Sequence, residues 1–464
     1  MKMHMPTLDL AAGFLLFGLA AGPTSAEPTT STPLTLGEAL KITLNNAQPV
    51  TAARATISSA KAQHLGVIAA FLPSLSLSDQ DQYYHPLQGS TSTVIAGTLV
   101  PAKHPFYNNV VNANLGFNLY NGGKDVANYQ GNLETLRSAI TGLSAALNSS
   151  FEQVLGDFEA LAADQATVAA QQRIVRLDQE IERLTSLRMA RQASSRIDLI
   201  QAQQQTLAAE TQLSQNRQQA MNDREQLQRA MGYLAPSEDW QVEERLPAAP
   251  PVAPGQYPVQ QDPAVQSAYA QVLAARQQVA VASAAYWPTV ALTGQYNLLG
   301  TSSTALDQAF TATQGSNYTM GISVSLPLLP FYNTVSAVDV AQANVETNLS
   351  TYQSALASAS SRTQSAFQQL QEAQQGIKLA AKSAQLAHAN AHLTDARYQA
   401  HQSSRIDVDR ALVLAEQADL SATTATLALR LAAWKLYRAA HPQQFADTLT
   451  AAAAKHPSSD PITE

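Results

Sequence analysis

The chain has 464 residues, a formal net charge of −7 and a charged fraction of 14%, which is well below the average of about 25% for soluble domains. It contains no block of basic residues, and this argues against a nucleic-acid partner. It contains no cysteine, so disulfide bonds are excluded. Alanine, glutamine, serine and threonine replace the missing charge, a composition that suits long helices packed on more than one side.

The N-terminal residues 1–26 have the pattern of a cleavable secretory signal peptide. Lys2 precedes an apolar run from Leu10 to Ala21, and small residues follow at 23–26. A run of about twelve residues is too short to cross a bilayer, which needs about twenty. We therefore predict an exported chain that starts with a flexible segment at 27–33. Without a cysteine at the cleavage boundary, we expect no lipid anchor.

The first predicted element is a helix that runs from Leu34 to about Phe71. Thr35 is a suitable N-cap, and Glu38 has the spacing of its capping-box partner. Pro49 is expected to interrupt this helix near its first third. Beyond residue 73 the hydrophobic period changes from 3.6 to 2, which marks the start of β-structure.

Four segments alternate between apolar and polar residues and predict four strands, at about 74–84, 107–120, 289–299 and 318–329. They form two hairpins, whose connecting loops are rich in Gly, Ser and Thr. Strands of about ten residues with this alternation are typical of membrane β-barrels. A small soluble β-domain with one wet face is the alternative.

Aromatic residues at the strand ends favour the membrane interpretation. Tyr120, Trp287 and Phe331 would lie at one water–lipid boundary, and Tyr107 would lie near the other. Aromatic girdles of this kind flank the apolar band of membrane barrels.

Two long stretches without proline follow the hairpins, and each can hold two very long helices because interior proline is what most strongly breaks a helix. We predict antiparallel helical hairpins at about 123–232 and 332–440. Apolar residues from Val126 to Leu161 recur at alternating spacings of three and four, which predicts coiled-coil packing. The helix beginning at Lys124 would be on the order of 100 Å long.

The pentapeptide Ser194–Asp198 recurs unchanged as Ser403–Asp407, about 210 positions later, an interval too long for a solenoid repeat. Because the preceding elements recur in the same order, the chain is a tandem repeat with units at 34–233 and 264–441. A proline-rich linker, 234–263, joins the units, and residues 442–464 are predicted to be disordered. Serines followed by an acid favour a turn that starts a helix, so we place the hairpin tips at 192–197 and 401–406.

A sheet of four strands cannot close on itself, and its two edges would expose unpaired backbone groups to lipid. Two copies would give eight strands and a filled interior, whereas three copies give twelve strands and room for a lumen. A trimer with a pore is therefore the smallest assembly that uses every feature.

The chain resembles the TolC-like outer-membrane efflux protein family, the outer-membrane components of tripartite efflux and type I secretion systems. The resemblance covers residue 34 to about 441 and is carried by four segments in order: Leu34–Leu40, Phe71–Leu75, Leu119–Gly123 and Tyr286–Val290. The second copy keeps Leu328-Leu329 without the glycines that follow in the first. The resemblance implies a mainly helical protomer that trimerises into a twelve-stranded β-barrel in the outer membrane, continued by a helical barrel in the periplasm.

The resemblance also implies partners and a gate. A periplasmic adaptor would dock on the hairpin tips and connect them to an inner-membrane pump; the tip residues are Gln192, Ser194, Ser195, His401, Ser403 and Ser404. Gln192 and His401 stand where the family commonly has glycine. The family's constriction acid, nine residues after a tyrosine, matches Asp407; the second family acid is Arg410 here, with Asp409 nearby. We expect a periplasmic gate formed by Asp407, Asp409, Arg405, Asp198 and Arg196, the alternative being a solvated charge cluster that caps a helix.

No catalytic or cofactor-binding motif is found, so we expect neither an enzyme nor a cofactor. His388 and His392 have a spacing that can hold a metal, but a surface pair is the simpler interpretation. The predicted function is the exit duct of an efflux system for small molecules. The alternatives are an outlet for protein secretion and a periplasmic coiled-coil adaptor or scaffold that forms no channel.

Overall fold

The structure, a computed structural model, describes residues 34–85, 91–101, 104–233, 242, 246–252, 257–311, 313–328 and 331–454. The predicted signal peptide, residues 27–33 and parts of the predicted linker lie outside this set. Within the described residues no helix combines the length and apolar character that a membrane crossing requires.

The helices and strands alternate in the order expected for a tandem repeat. The helices are α1 (Leu36–Asn46), α2 (Gln48–Ile68), α3 (Lys124–Ala190), α4 (Arg196–Ala230), α5 (Pro263–Ser283), α6 (Leu306–Thr311), α7 (Phe331–Gln399), α8 (Arg405–Ala440) and α9 (Phe445–Ala454). The strands are β1 (Ser74–Tyr84), β2 (Ser92–Ile95), β3 (Thr98–Pro101), β4 (Phe106–Asn121), β5 (Thr289–Ser302) and β6 (Thr313–Ser325).

The start of α1 confirms the predicted capping box. The backbone N–H of Glu38 donates to Oγ1 of Thr35 at 3.3 Å, and the N–H of Thr35 donates to Oε2 of Glu38 at 3.2 Å. The helix ends at Asn46, and α2 begins with Pro49 in its first turn, where the missing N–H is not needed. The predicted interruption at this proline is therefore confirmed.

The long helices α3 and α7 have 67 and 69 residues and extend for about 100 Å each. On the side of the hairpin tips α3 packs against α4 and α8, and α7 packs against α8, which gives the lateral order α4–α3–α8–α7. On the side of the sheet α3 packs against α2 and α5, and α7 packs against α5. The layer on the side of the tips (α4, α3, α8, α7) and the layer on the side of the sheet (α2, α3, α5, α7) thus have α3 and α7 in common.

The main sheet has the antiparallel order β1–β4–β5–β6, so the two hairpins lie side by side and β1 and β6 form its edges. Directly paired residues lie on the same face, and one such row is Leu75, Leu115, Gly294 and Met320. The same face, which we call the apolar face, also carries Leu77, Val111, Ala113, Phe117, Leu292, Tyr296, Leu298, Tyr318, Ile322 and Val324 and, towards the loop end, the hydrogen-bonded polar group of Asp79, Asp81 and Asn109. The opposite face, which we call the polar face, carries Ser76, Ser78, Gln80, Asn112, Asn114, Thr293, Gln295, Thr319 and Ser323.

The sequence-based strand bounds need two corrections. Strand β6 runs over 313–325 and not 318–329, since Pro327 has no N–H to continue the ladder and the polar residues before Tyr318 pair with β5. Strand β5 continues to Ser302. The two connecting loops also contain elements that were not predicted, the β2–β3 hairpin and α6.

The hydrophobic core lies in the middle of the molecule, where the two helical layers meet. Phe151, Leu155 and Phe158 of α3 pack there with Trp434 of α8. The linker crosses this core as a strap: Leu246 is buried, and the indole N–H of Trp434 donates to the carbonyl of the next residue at 2.8 Å. The linker was predicted as an extended connection on the outside of the molecule; the structure adds that its described part covers the core.

The predicted disorder of residues 442–464 is wrong for the described part, 442–454. Helix α9 packs on the core through Phe445 and Leu449, which are both fully buried, and the ring of Phe445 lies 6.3 Å from that of Trp434. The apolar positions at 445, 449 and 453 form a helical pattern of only three residues, too short to stand out in the sequence. Residues 455–464 lie outside the described set.

Candidate functional site

The two hairpin tips have the same backbone turn, built twice. Helix α3 ends at Ala190 and α4 starts at Arg196, while α7 ends at Gln399 and α8 starts at Arg405. In both turns one residue has a left-handed conformation, Gln192 with φ of 58° and His401 with φ of 60°. These are the two positions at which the chain departs from the glycine that the resemblance implies, and a side chain in this conformation costs about 1–2 kcal/mol.

The first copy of the repeated pentapeptide forms a capping box at the start of α4. The backbone N–H of Ser195 donates to Oδ2 of Asp198 at 2.8 Å, and the hydroxyl of Ser194 donates to the same oxygen at 2.9 Å. In return the N–H of Asp198 donates to Oγ of Ser195 at 3.1 Å. These bonds, the Ser195 N–H foremost, hold the pKa of Asp198 below its usual value.

The second copy repeats this arrangement at the start of α8. Oδ2 of Asp407 accepts from the hydroxyl of Ser404 at 2.7 Å, from its N–H at 3.0 Å and from the hydroxyl of Ser403 at 3.2 Å. The Ser404 hydroxyl is the main reason that the pKa of Asp407 is lowered. Both predicted helix starts are confirmed, and each of the two acids already has a local capping role.

Asp409 is placed differently from the other predicted gate residues. Its carboxylate is fully buried, with Oδ1 at 3.1 Å from Nη2 of the half-exposed Arg405. Burial is the main reason that the pKa of Asp409 is raised above its usual value. Arg405 acts in the opposite direction, and the nearby Glu180 adds to the rise. Asp407, Asp198 and Arg196 are exposed at the tips. The structure thus brings Arg405 and Asp409 together inside the protomer and leaves the other three at its end.

Sequence reasoning missed the contribution of α3 to this cluster. Glu180 forms a two-pronged ion pair with Arg183, with N–O distances of 2.6 and 2.7 Å; it is attracted by Arg405, which helps to lower the pKa of Glu180, and it helps to raise the pKa of Asp409. No local motif marks Glu180, because it lies more than a dozen positions before the pentapeptide. The sequence offers one signal for Glu180. At a rise of 1.5 Å per residue, its distance from the end of α3 places it near the first turns of a neighbouring antiparallel helix.

The predicted interfacial aromatics lie at opposite ends of the sheet. Tyr120 and Trp287 are exposed at the end that joins the helices. Tyr107 lies at the loop end and contacts Tyr83, with ring centroids 5.0 Å apart. Phe331 begins α7, and its side chain lies outside the described set.

The Gly122–Gly123 pair lets β4 turn into α3 beside Trp287. Gly122 has φ of 68°, and a Cβ there would lie 2.5 Å from the carbonyl oxygen of Ala284 and 2.9 Å from Cβ of Trp287. Only glycine fits such a position.

Both outer helices of the tip-side layer carry exposed apolar residues. On α7 these are Leu379, Leu386 and Leu393, spaced seven apart and 62–71% exposed. On α4 they are Ile197, Ile200 and Leu207, 45–67% exposed. We call these two sets the α7 stripe and the α4 stripe. Neither stripe was predicted from the sequence.

The histidine pair on α7 has one polar contact. Nε2 of His388 lies 2.8 Å from Oδ1 of Asp419 on α8, and both side chains are exposed. No group of three or more potential metal-ligating side chains was found in the part of the chain that the structure describes.

Comparisons with known proteins agree with this architecture. The family model described as outer membrane efflux protein matches residues 39–233 and 258–440, while no curated protein sequence matches. Among solved structures the chain is similar to the CmeC outer membrane channel of Campylobacter jejuni, with 17% identity, a TM-score of 0.71 and 98% of each chain covered.

Two further solved structures share the fold. The outer membrane protein VceC of Vibrio cholerae has 18% identity and a TM-score of 0.68, with 86% of this chain and 95% of that chain covered. The MtrE outer membrane channel of Neisseria gonorrhoeae, in its open state, has 18% identity and a TM-score of 0.68, with 87% and 88% covered. These similarities show a common fold, and the family model covers most of the sequence. The chain therefore belongs to the outer membrane efflux protein family.

Proposed function

We propose that three copies of this chain form an outer-membrane channel, the exit duct of an efflux system that passes small molecules from an inner-membrane pump and a periplasmic adaptor to the outside. One observation carries the proposal: a four-stranded sheet with one apolar face ends in two unpaired edges, β1 and β6. Membership of the outer membrane efflux protein family supports the proposal. Neither an enzyme nor a periplasmic scaffold would require a sheet of this kind.

The edges explain why more than one copy is needed. Each unpaired N–H or C=O group exposed to lipid costs several kcal/mol, and β1 and β6 together carry more than twenty residues. Pairing β1 of one copy with β6 of the next removes this cost. Three copies give twelve strands and leave a lumen, whereas the eight strands of two copies would enclose an interior filled by side chains.

The helical layer supports the same closure. In the lateral order α4–α3–α8–α7, the α4 stripe and the α7 stripe lie on the two outer edges. Measured from the tips, Ile200, Leu393, Leu207 and Leu386 lie at heights of about 6, 9, 16 and 20 Å. Residues of the two helices therefore alternate in height, as knobs that fill holes on a partner helix require.

The tips are proposed as the periplasmic gate and the docking surface for the adaptor. Asp198 and Asp407 lie exposed at the ends of the two hairpins, so a threefold axis gathers six such carboxylates, which repel one another unless Arg196 and Arg405 compensate. The buried Asp409 takes no part in the lumen. We propose that Arg405, which pairs with Asp409 on α8 and is attracted to Glu180 of α3, holds α8 against α3 when the tips move.

Two measurements test the proposal. Mass determination of the detergent-solubilised protein is expected to give a trimer, and planar-bilayer recording is expected to give cation-preferring channels. The double variant Asp198→Asn with Asp407→Asn keeps an oxygen that can cap each helix and removes the charge, so cation preference should fall severalfold. The control Asp419→Asn, about 20 Å from the tip along α8, should leave it unchanged.

The two parts of the proposal can fail separately. A monomer that stays in solution without detergent and gives no conductance contradicts the channel. A trimeric channel whose cation preference is the same with and without the tip acids contradicts only the gate.

A further inference from the structure

The loop between β1 and β4 is not a free loop but a small hairpin, β2–β3. Ser92–Ile95 and Thr98–Pro101 pair antiparallel around a two-residue turn in which Ala96 and Gly97 both have positive φ, 49° and 78°. This is the turn type that matches the twist of a hairpin. The hairpin is therefore an ordered element.

The hairpin packs on the polar face of the main sheet. Its Val100 joins Phe106, Val110 and Leu299 in a buried cluster. Phe106 and Val110 are each an even number of positions from Asn112 of the polar face, and Val110 pairs with Leu299, so all three belong to the polar face. The apolar face with its exposed Leu75 and Tyr318 is the opposite one.

Specific hydrogen bonds hold the hairpin there. Nδ2 of Asn317 donates to the carbonyl of Ala96 at 2.6 Å and lies 3.5 Å from Oγ1 of Thr98. Oδ1 of Asn317 accepts from Nδ2 of Asn297 at 2.9 Å. Asn108 beneath is fully buried. A ladder of amides on β5 and β6 thus binds the tip of the hairpin.

The composition of the polar face changes where the hairpin covers it. Towards the helices it presents uncharged amides and hydroxyls, such as Asn112, Gln295 and Thr319. At the loop end it presents Phe106 and Leu299, which are only 6% and 2% exposed and pack with Val100 of the hairpin. Apolar residues on a wet wall are unfavourable unless they are covered, so this end of the face is built to hold the hairpin.

We propose that the β2–β3 hairpin of each copy projects into the lumen at the outer end of the barrel, forms its narrowest point and sets the size limit for solutes that leave. The inference rests on the proposed trimeric channel, in which the polar face lines the lumen. The constriction is uncharged, because the described side chains of the hairpin and of the amide ladder carry no ionisable group.

Simple dimensions show that the effect is large. Twelve strands spaced about 4.8 Å apart and tilted by about 40° enclose a barrel about 24 Å in diameter. A second layer of strands stands about 10 Å from the first. Hairpins that enter from three sides therefore leave an opening of only a few ångströms.

The test compares conductance in planar bilayers for a hairpin locked by a disulfide, for the same variant after reduction, and for a truncated hairpin. A Cβ built at Gly315 would lie 4.0 Å from Cγ2 of Thr98, so the two positions are neighbours, and Thr98→Cys with Gly315→Cys is designed to form a disulfide in a chain that has no cysteine of its own. The truncated variant replaces residues 92–101 by a shorter glycine–serine linker. Each single cysteine variant is a control.

We expect the oxidised double variant to conduct at or below the wild-type level, with reductant restoring it. We expect truncation to raise single-channel conductance at least twofold and to admit larger uncharged polyethylene glycols. If truncation leaves conductance and the size limit unchanged, or if oxidation raises conductance, the role of the hairpin is overturned but the proposed channel is not. Absence of channels in every variant overturns the channel and the hairpin's role together, whereas channels only after truncation support both.

Discussion

Removal of one leucine from the α7 stripe tests the proposed contact between copies. Leu386 is 62% exposed in the protomer, and full burial of a leucine side chain contributes about 1.5–3 kcal/mol. Burial of the exposed part against α4 of the next copy would therefore contribute about 1–2 kcal/mol per contact. A trimer has three such contacts, so Leu386→Ala should weaken assembly by about 3–6 kcal/mol in total.

The assay is the temperature at which the detergent-solubilised trimer dissociates, followed by gel mobility and light scattering. Leu386→Ala should lower this temperature by several degrees, and Leu386→Glu should lower it further because a charge would be buried without a partner. Leu414→Ala is the matched control, since Leu414 is 54% exposed but lies on α8, which already has a neighbour on each side. Equal effects of Leu386→Ala and Leu414→Ala, or no effect of either Leu386 variant, would refute the reasoning.

Three further outcomes are expected. Ser404→Ala removes the cap of α8 and should cost about 1 kcal/mol, seen as faster hydrogen exchange in its first turn, whereas Ser214→Ala in exposed α4 should not change exchange there. Burial raises the pKa of Asp164 to about 6, so the folded chain binds more protons than the unfolded chain between about pH 4 and 6. The free energy of unfolding therefore falls as pH rises through that window. Asp164→Asn should raise the thermal midpoint at pH 7.5 but not at pH 3.5. Phe445→Ala should cost about 3–5 kcal/mol in chemical unfolding, against a negligible effect of the exposed Gln444→Ala; an equally small effect of Phe445→Ala would mean that α9 does not belong to the core.

The elements predicted well from sequence are those whose environment repeats along the element. Alternation identified β4 because Val111, Ala113, Leu115 and Phe117 face the apolar side of the sheet at every second residue, whereas in β1 only Leu75 and Leu77 carry the signal. The two tips were predicted because the cap is local: Ser404 and Asp407 are three residues apart and bind each other.

The features that were missed depend on contacts between distant segments. The start of β6 at Thr313 follows from its pairing with Gly300, not from its own polar residues. The hairpin turn at Ala96-Gly97 had a sequence signal, a two-residue turn between short β-rich runs, but without the usual Asn-Gly. The burial of Asp409 follows from α3, which no pattern near the pentapeptide reveals.

The internal repeat supplies a template for the contact between copies. Within one chain Leu184 of α3 packs against a buried cluster that includes Ile406 of α8, and the repeat interval that relates the two pentapeptides takes Leu184 to Leu393 and Ile406 back to Ile197. In the order α4–α3–α8–α7 the helices of Leu393 and Ile197 are the two edges, so this pair can meet only between copies.

The same relation explains why one equivalent pair has diverged. Asp409 is buried beside Glu180 inside the chain, while its counterpart Ile200 is exposed on the edge of α4. A protomer that ended at its own edges would favour the reverse, with the acid in water and the isoleucine inside. The exposure of Ile200 becomes favourable if α4 is covered by α7 of a neighbour, while Arg405 compensates the buried Asp409 within the chain; the repeat is thus an argument for the closed ring.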